Sequence, residues 1–336
     1  MSVQTMPSPE LYFETMFAHQ RTAAMKAALE LELFTAIDEG AGTVREIAAR
    51  CKASERGTRI LSDYLVTAGF LTKSKDKYAL TLDTATFLSK RSPAYLGTTA
   101  QFLAGQEDLR RNFESLTETI RRGSVSQEGN TVSEDNRIWV DFARSMAPMM
   151  VPAAQAIAEI LGPSDAPIRV LDIAAGHGIF GITVAQRHPK AEIVAQDWAA
   201  VLEVAVENAK KMNVGNRLRT LPGDAFTVDY GTGYDAALVT NFIHHFDHET
   251  NVRLFKKIAA ALKPGGRVVI LEFVPNDDRV SPPIPAGFSL TMLAGTPAGD
   301  AYTLAEIQSM LSDGGFRKAT AHPLPGPQTV IVAAKA

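Results

Sequence analysis

Histidine is the side chain that changes charge nearest neutral pH, and three of the seven in this chain fall together in Asn241-Phe242-Ile243-His244-His245-Phe246-Asp247-His248-Glu249. Such a cluster suits two chemistries: proton transfer by one imidazole, or a metal held by several of them with Asp247 as an oxygen ligand. His248 stands where a helix is predicted to open, so it caps that helix or meets solvent, which favours proton transfer over metal. A second concentration lies upstream in Val170-Leu171-Asp172-Ile173-Ala174-Ala175-Gly176-His177-Gly178-Ile179-Phe180-Gly181. It reads as a buried strand, a small-residue turn and a helix. Its glycines satisfy G-x-G-x-x-G, and without Cβ atoms they let a ligand approach the backbone. That serves a nicotinamide dinucleotide and an adenosyl sulfonium equally well.

Three carboxylates separate the two. Asp172 sits at the end of the first strand, where it organises the turn and attracts an ammonium group. Asp197 ends the next strand, placed for two-point hydrogen bonding to ribose hydroxyls, with Trp198 after it as an apolar surface for a nucleoside. Gly223-Asp224-Ala225-Phe226 follows the third strand, with Asp224 suited to an adenine amino group.

The elements that must position these residues follow from the hydrophobic pattern. After Gly162-Pro163, strands alternate with helices: Arg169–Ile173, Gly178–Arg187, Ala191–Gln196, Ala199–Met212, Arg217–Leu221, Asp235–Thr240, Glu249–Leu262, Arg267–Phe273, Thr303–Ser312 and a last strand Thr329–Ala333. This predicts an α/β domain with a parallel sheet covered on both faces and ligands at the carboxyl ends of its strands. Upstream, residues 11–40 repeat apolar side chains at helical spacing and predict an interface helix pair. Thr43 with Glu46 is a capping-box signature, Ala53-Ser54-Glu55 opens a second helix that stops at Gly69, and Phe70–Thr72 with Tyr78–Thr81 form a hairpin around Lys73–Lys77. Helix, helix, hairpin is a winged-helix order. Between Ser92 and Gly162 the pattern is helical and connective, with Gly123–Asn130 as a loop and with Phe102, Phe113, Trp139, Phe142, Met146, Met149 and Met150 suited to a core or an aromatic pocket.

The combination of Asp172, Gly176, Gly178, Asp197, Trp198, Asp224, Ala225 and Phe226 resembles the class I S-adenosylmethionine-dependent methyltransferases, a doubly wound Rossmann-like fold. With the N-terminal segments added, nearly the whole chain is similar to the small-molecule O-methyltransferases typified by plant caffeate and hydroxyindole enzymes and their bacterial relatives. The resemblance implies three parts: a winged-helix dimerisation domain over 1–95, a helical linker and pocket cover over 96–162, and a cofactor-binding domain over 163–336. It implies His244 as general base, Glu272 beside it at the end of the fifth strand, and Phe246 stacking on adenine. It also implies an acceptor pocket of Phe142, Met146, Phe288, Met292 and Thr296. His245 replaces the family's usual aspartate, and Ala301 stands where a second glutamate would fall, with Asp300 or Tyr302 as its substitute. A base has a physical purpose: a phenol of pKa ~10 is a poor nucleophile at neutral pH, whereas an imidazole of pKa ~6.5 accepts its proton during attack.

Composition bounds the rest. Thirty-four Lys+Arg against 37 Asp+Glu leave a net charge of −3, and Glu55–Ala68 offers Arg56 and Arg59 beside Glu55 and Asp63. A DNA-binding cofactor sensor is therefore disfavoured, and the N-terminal part is expected to pair with a second copy of the chain. One cysteine, Cys51, excludes an intramolecular disulfide and a thiolate zinc site. The N-terminus lacks a signal-peptide pattern, and the least polar stretch, Met146–Leu161, is short and carries Pro148 and Pro152, so a cytoplasmic chain without a membrane span is expected. The expected reaction yields S-adenosylhomocysteine and a methylated aromatic or polyketide-like acceptor, without metal. Transfer to carbon or nitrogen, or a non-methylating use of the same cofactor, is the alternative.

Overall fold

The structure, a computed structural model, describes residues 7–126, 138–162 and 165–336. Residues 127–130 of the expected Gly123–Asn130 loop and Pro163 at the expected boundary lie outside the described residues. The chain divides into two compact units, Met1–Gly105 and Gln106–Ala336.

The first unit holds α1 (Glu10–Glu30), α2 (Leu33–Asp38), α3 (Val44–Cys51), α4 (Glu55–Thr67), β1 (Leu71–Ser74), β2 (Lys77–Leu80), α5 (Leu82–Phe87) and α6 (Thr99–Leu103). Both halves of the capping box form: the Glu46 N–H donates to Thr43 Oγ1, and the Glu46 carboxylate takes the Thr43 N–H at 2.8 Å. Leu33, Phe34, Ile47, Leu65, Leu71 and Tyr78 make the core. Asp63 fastens the hairpin to α4, accepting from Lys73 Nζ at 2.5 Å and Tyr78 OH at 2.7 Å, and it also pairs with Arg59 at 3.1 Å. Two basic groups of this unit, Arg59 and Lys73, thus pair with one carboxylate. The start of α1 does the opposite of hiding its apolar side chains: Leu11, Tyr12, Phe13, Met16 and Phe17 are all at least half exposed.

The second unit opens with α7 (Glu107–Glu114), α8 (Leu116–Arg122) and α9 (Ile138–Leu161). Then come β3 (Ile168–Ile173), α10 (Ile179–Arg187), β4 (Ala191–Asp197), α11 (Ala199–Lys211), β5 (Leu218–Pro222), β6 (Tyr234–Thr240), α12 (His248–Ala261) and β7 (Leu262–Glu272). It ends with α13 (Pro283–Gly295), α14 (Leu304–Asp313), β8 (Phe316–Pro323) and β9 (Thr329–Lys335). The seven strands lie in the order β5-β4-β3-β6-β7-β9-β8. The chain leaves β3 toward β5 on one side and returns to β6 on the other, so the crevice lies at the carboxyl ends of β3 and β6. The parallel sheet expected from alternation needs correction. Five strands are parallel, but β9 runs antiparallel to both β7 and β8, because β8 to β9 is a short reversal with no helix between.

α9 passes through Pro148 and Pro152, both exposed, so the two missing N–H groups fall on its outer face. No helix among the described residues is long and apolar enough to cross a membrane. Under the sheet, Tyr234, Leu254, Phe255, Ile258, Met310 and Phe316 form a close-packed core, with Phe255 and Phe316 edge to face at 6.2 Å. Phe255→Ala empties the centre of this cluster, and a loss of about 3–5 kcal/mol in unfolding free energy is expected by urea titration.

Candidate active site

The turn from β3 to α10 is built by backbone constraint. Gly176 and Gly178 hold φ of +57° and +72°, and a Cβ on Gly178 would stand 2.9 Å from Ala205 Cβ of α11. Side chains of β4 then fix the turn. Asp197 accepts the Gly176 N–H at 2.8 Å on Oδ2 and the Trp198 N–H at 2.7 Å on Oδ1. Each oxygen keeps a further lone pair for a ligand. Buried Gln196 accepts the Ala174 N–H at 3.3 Å and donates to the Gly223 carbonyl at 2.5 Å, which joins the loop after β3 to the loop after β5. Gln196 carries a sequence signal of its own, the one amide in Ala191–Asp197.

Asp172 is fully buried. Its Oδ2 accepts the Gly181 N–H at 3.0 Å, and no described protein group donates to Oδ1. Burial, offset by the Gly181 N–H and reinforced by Asp197, pushes its carboxyl up to about 7. Burial likewise pushes Asp197 up to about 6 against the pull of its two N–H donors. His177 is pushed down to about 4 by burial, and its Nδ1 accepts the Ile179 N–H at 3.2 Å, so it is a neutral ring, stacked on Phe142 at 6.3 Å.

After β5, Asp224 Oδ1 accepts the Phe226 N–H at 2.8 Å, while the Ala225 carbonyl accepts from Tyr230 OH at 2.6 Å and Lys257 Nζ at 2.8 Å. Phe246 stands edge-on to Phe226 at 4.9 Å and to Phe242 at 5.0 Å, an aromatic corner beside that loop. Trp198 packs with Trp139, Ala143, Val201 and Val204, between α9 and α11.

The histidine segment follows β6. His244 Nδ1 lies 2.6 Å from Glu272 Oε2, both residues at least 95% buried, and Glu272 Oε1 accepts the Phe242 N–H at 3.1 Å. With the Glu272 carboxylate as acceptor, Nδ1–H is the donor, and in the neutral ring Nε2 then carries the lone pair. Phe288 of α13 meets the His244 ring edge-on at 4.9 Å and stacks on Phe273 at 4.2 Å. The His245 ring, 4.3 Å from that of His244, is enclosed by the edges of Trp139, Phe242 and Phe246. Burial first and His244 second hold it well below the usual histidine range.

The remaining histidine points elsewhere. Asp247, and not His248, caps α12, accepting the Thr250 N–H at 2.7 Å, and His248 is exposed. Among the described residues no three His, Cys, Asp or Glu groups converge as metal ligands. Asp300 pairs with Arg279 at 3.2 Å and Tyr302 donates to the Phe246 carbonyl at 2.5 Å, so the carboxylate bonded to the His244 ring is that of Glu272. Met146 and Met292 are buried in α9 and α13. Thr296 Oγ1 donates to the Met292 carbonyl at 2.7 Å and accepts the Gly299 N–H at 2.9 Å, which closes the end of α13. Gly299 went unremarked in the sequence because its reason is a close approach: a Cβ there would lie 2.2 Å from the His244 carbonyl oxygen.

Residues 134–317 match the O-methyltransferase domain, and residues 13–90 match the O-methyltransferase dimerisation domain. The chain belongs to the O-methyltransferase family. A crystal structure of a candidate O-methyltransferase from Nostoc punctiforme is 48% identical with a TM-score of 0.94, covering 98% of this chain and 100% of that one. A 3-hydroxy-5-methyl-1-naphthoate 3-O-methyltransferase from Streptomyces sahachiroi is 27% identical, covering 94% of this methyltransferase and 92% of that protein. An L-tyrosine C(3)-methyltransferase from Streptomyces lavendulae is 26% identical over 93% of this chain and 88% of its own. The enzyme is dependent on S-adenosylmethionine, and proteins of this fold are solved with that cofactor or its product. The residues fit the cofactor: Asp172 offers a buried carboxyl oxygen with no protein donor, and a Cβ on Gly176 would meet nothing closer than the Ala174 carbonyl at 3.9 Å, so the backbone there is open to a ligand.

Gly299→Ala must move the backbone of His244 or of the loop after α13. A fall of at least tenfold in kcat, with cofactor affinity by calorimetry kept within twofold, is the expected outcome.

Proposed function

We propose that this methyltransferase acts on a hydroxyl of an aromatic or polyketide-like small molecule, with His244 as general base and Glu272 as its orienting partner. The observation that carries this reading is the 2.6 Å contact between His244 Nδ1 and Glu272 Oε2. It fixes the ring and its tautomer, so that Nε2 is free to take the acceptor's proton as the oxygen attacks. S-adenosylmethionine supplies, when bound, a methyl group on a positively charged sulfur. The rest of the work falls to alignment. Asp172, Gly176, Gly178 and Asp197 hold the amino-acid and ribose ends of the cofactor, while Trp198, Asp224, Ala225, Phe226 and Phe246 hold its nucleoside. Phe142, Met146, Phe288, Met292 and Thr296 form the acceptor wall, whose apolar and polarizable side chains suit a flat ring system.

The 27% identical naphthoate enzyme supports an aromatic hydroxyl as acceptor. The L-tyrosine C(3)-methyltransferase supports a second reading, transfer to ring carbon, in which a base activates the neighbouring phenol. Methyl-labelled cofactor and mapping of the label on the product decide between them.

We further propose a cytoplasmic homodimer in three parts, 1–95 for pairing through a winged-helix arrangement, 96–162 as linker and cover, and 163–336 for catalysis. The exposed apolar start of α1, within the region that matches the dimerisation domain, supports the pairing. The double substitution Phe13→Asp and Phe17→Asp is expected to halve the mass measured by light scattering at micromolar concentration. His244→Ala is expected to lower kcat by 10²–10⁴ with cofactor affinity unchanged. Undiminished turnover would remove His244 from the reaction.

A further inference from the structure

Two carboxyl groups stand at the β3 and β4 ends with unequal support. Asp197 takes two backbone N–H groups, from Gly176 and Trp198. Asp172, fully buried, takes one, from Gly181, and its Oδ1 has no donor among the described residues. The charged group that acts on Asp172 is Asp197 itself, of the same sign. His177 in the turn is neutral, the first turn of α10 is Ile179-Phe180-Gly181-Ile182, and the register partners of Asp172 are Ala195 on β4 and Leu238 on β6, so none of these supplies a positive charge. A buried carboxylate with one hydrogen bond and a like charge beside it is costly, and protonation removes the cost.

We propose that Asp172 is a proton-exchanging counter-ion: the free enzyme holds a proton on its carboxyl group, and docking of the ammonium group of the cofactor expels that proton to solvent. This rests on the reading of the β3–α10 turn as the site for the amino-acid end of the cofactor. The balance is simple: the O–H bond of Asp172 breaks, the electron pair stays on the carboxylate to face the ammonium, and one proton leaves to buffer. Asp197, with two N–H donors, is pushed up only to about 6 and is the first of the pair to ionise. The sign follows from the linkage. Below the free-enzyme value of about 7, binding must release the proton, so affinity climbs by up to tenfold per pH unit, and above it the dependence flattens.

Titration calorimetry of the whole chain at pH 7, where Asp197 is largely ionised, in buffers of high and low ionisation enthalpy, reads this proton directly. S-adenosylmethionine and S-adenosylhomocysteine share the ammonium group, and both are expected to release about half a proton, the fraction held on Asp172 at that pH. Adenosine, which lacks it, is expected to release far less. Asp172→Asn is expected to bind adenosine as the wild type does, while binding S-adenosylmethionine more weakly and with no proton released. Heats for S-adenosylmethionine that are independent of buffer overturn the proposal, as does equal release with adenosine, or release that survives in Asp172→Asn. Should the wild-type enzyme bind adenosine but neither amino-acid-bearing compound, the placement of the amino-acid end at this turn fails instead.

Discussion

A carboxylate at the end of β7 is almost wholly out of water, and much of the active-site arrangement is a consequence of keeping it there. Glu272 is 2% exposed, and an ion so placed would be expelled or neutralised unless its oxygens were paired. The Phe242 N–H supplies one bond and the His244 ring another. Both donors come from the segment after β6, so satisfying one carboxylate fixes where that segment starts and how its imidazole points. Backbone packing extends the constraint. Gly299, in the loop after α13, approaches the carbonyl of His244 so closely that a side chain there would collide with it, and Thr296 holds that loop by its hydroxyl.

Much of this was legible in the sequence, and the exceptions have physical reasons. Capping residues Thr43, Ser54 and Thr303 mark helix starts because a side-chain oxygen there replaces a missing backbone partner, a local rule that needs no knowledge of the fold. Buried parallel strands declare themselves as short apolar runs. β8 does not, since only Phe316 of its residues is buried and Lys318 interrupts the ladder in a left-handed conformation. α13 is apolar all round and begins with prolines, so no period of 3.6 stands out. Histidine and glutamate could be paired from the resemblance, whereas the roles of Gln196 and Gly299 depend on contacts between loops far apart in the chain. His245 shows the limit most plainly: residue type suggested a chemical partner for His244, while the aromatic rings around it define a neutral, enclosed imidazole.

In the first unit one carboxylate gathers basic groups from both the hairpin and α4. Its helix, helix, hairpin order is compatible with DNA, but Asp63 absorbs the charge of both Arg59 and Lys73, and the apolar residues that a soluble monomer would cover stand open on α1. An apolar surface of that kind suits contact with a partner chain, in keeping with the match to the dimerisation domain.

The layers that carry the proposed acceptor wall and the proposed base bear on how such an enzyme changes over generations. His244 and Glu272 hang from strand ends locked by ladder hydrogen bonds on both sides, whereas Phe288 and Met292 ride on α13, which packs on α7 and α8. On the proposed assignment, proton transfer and molecular shape are carried by different layers, which meet where Phe288 touches the His244 ring. Substitutions on α7 and α8 would reach the proposed chamber only through α13, whereas a change at Phe288 would also alter the surroundings of the His244 ring.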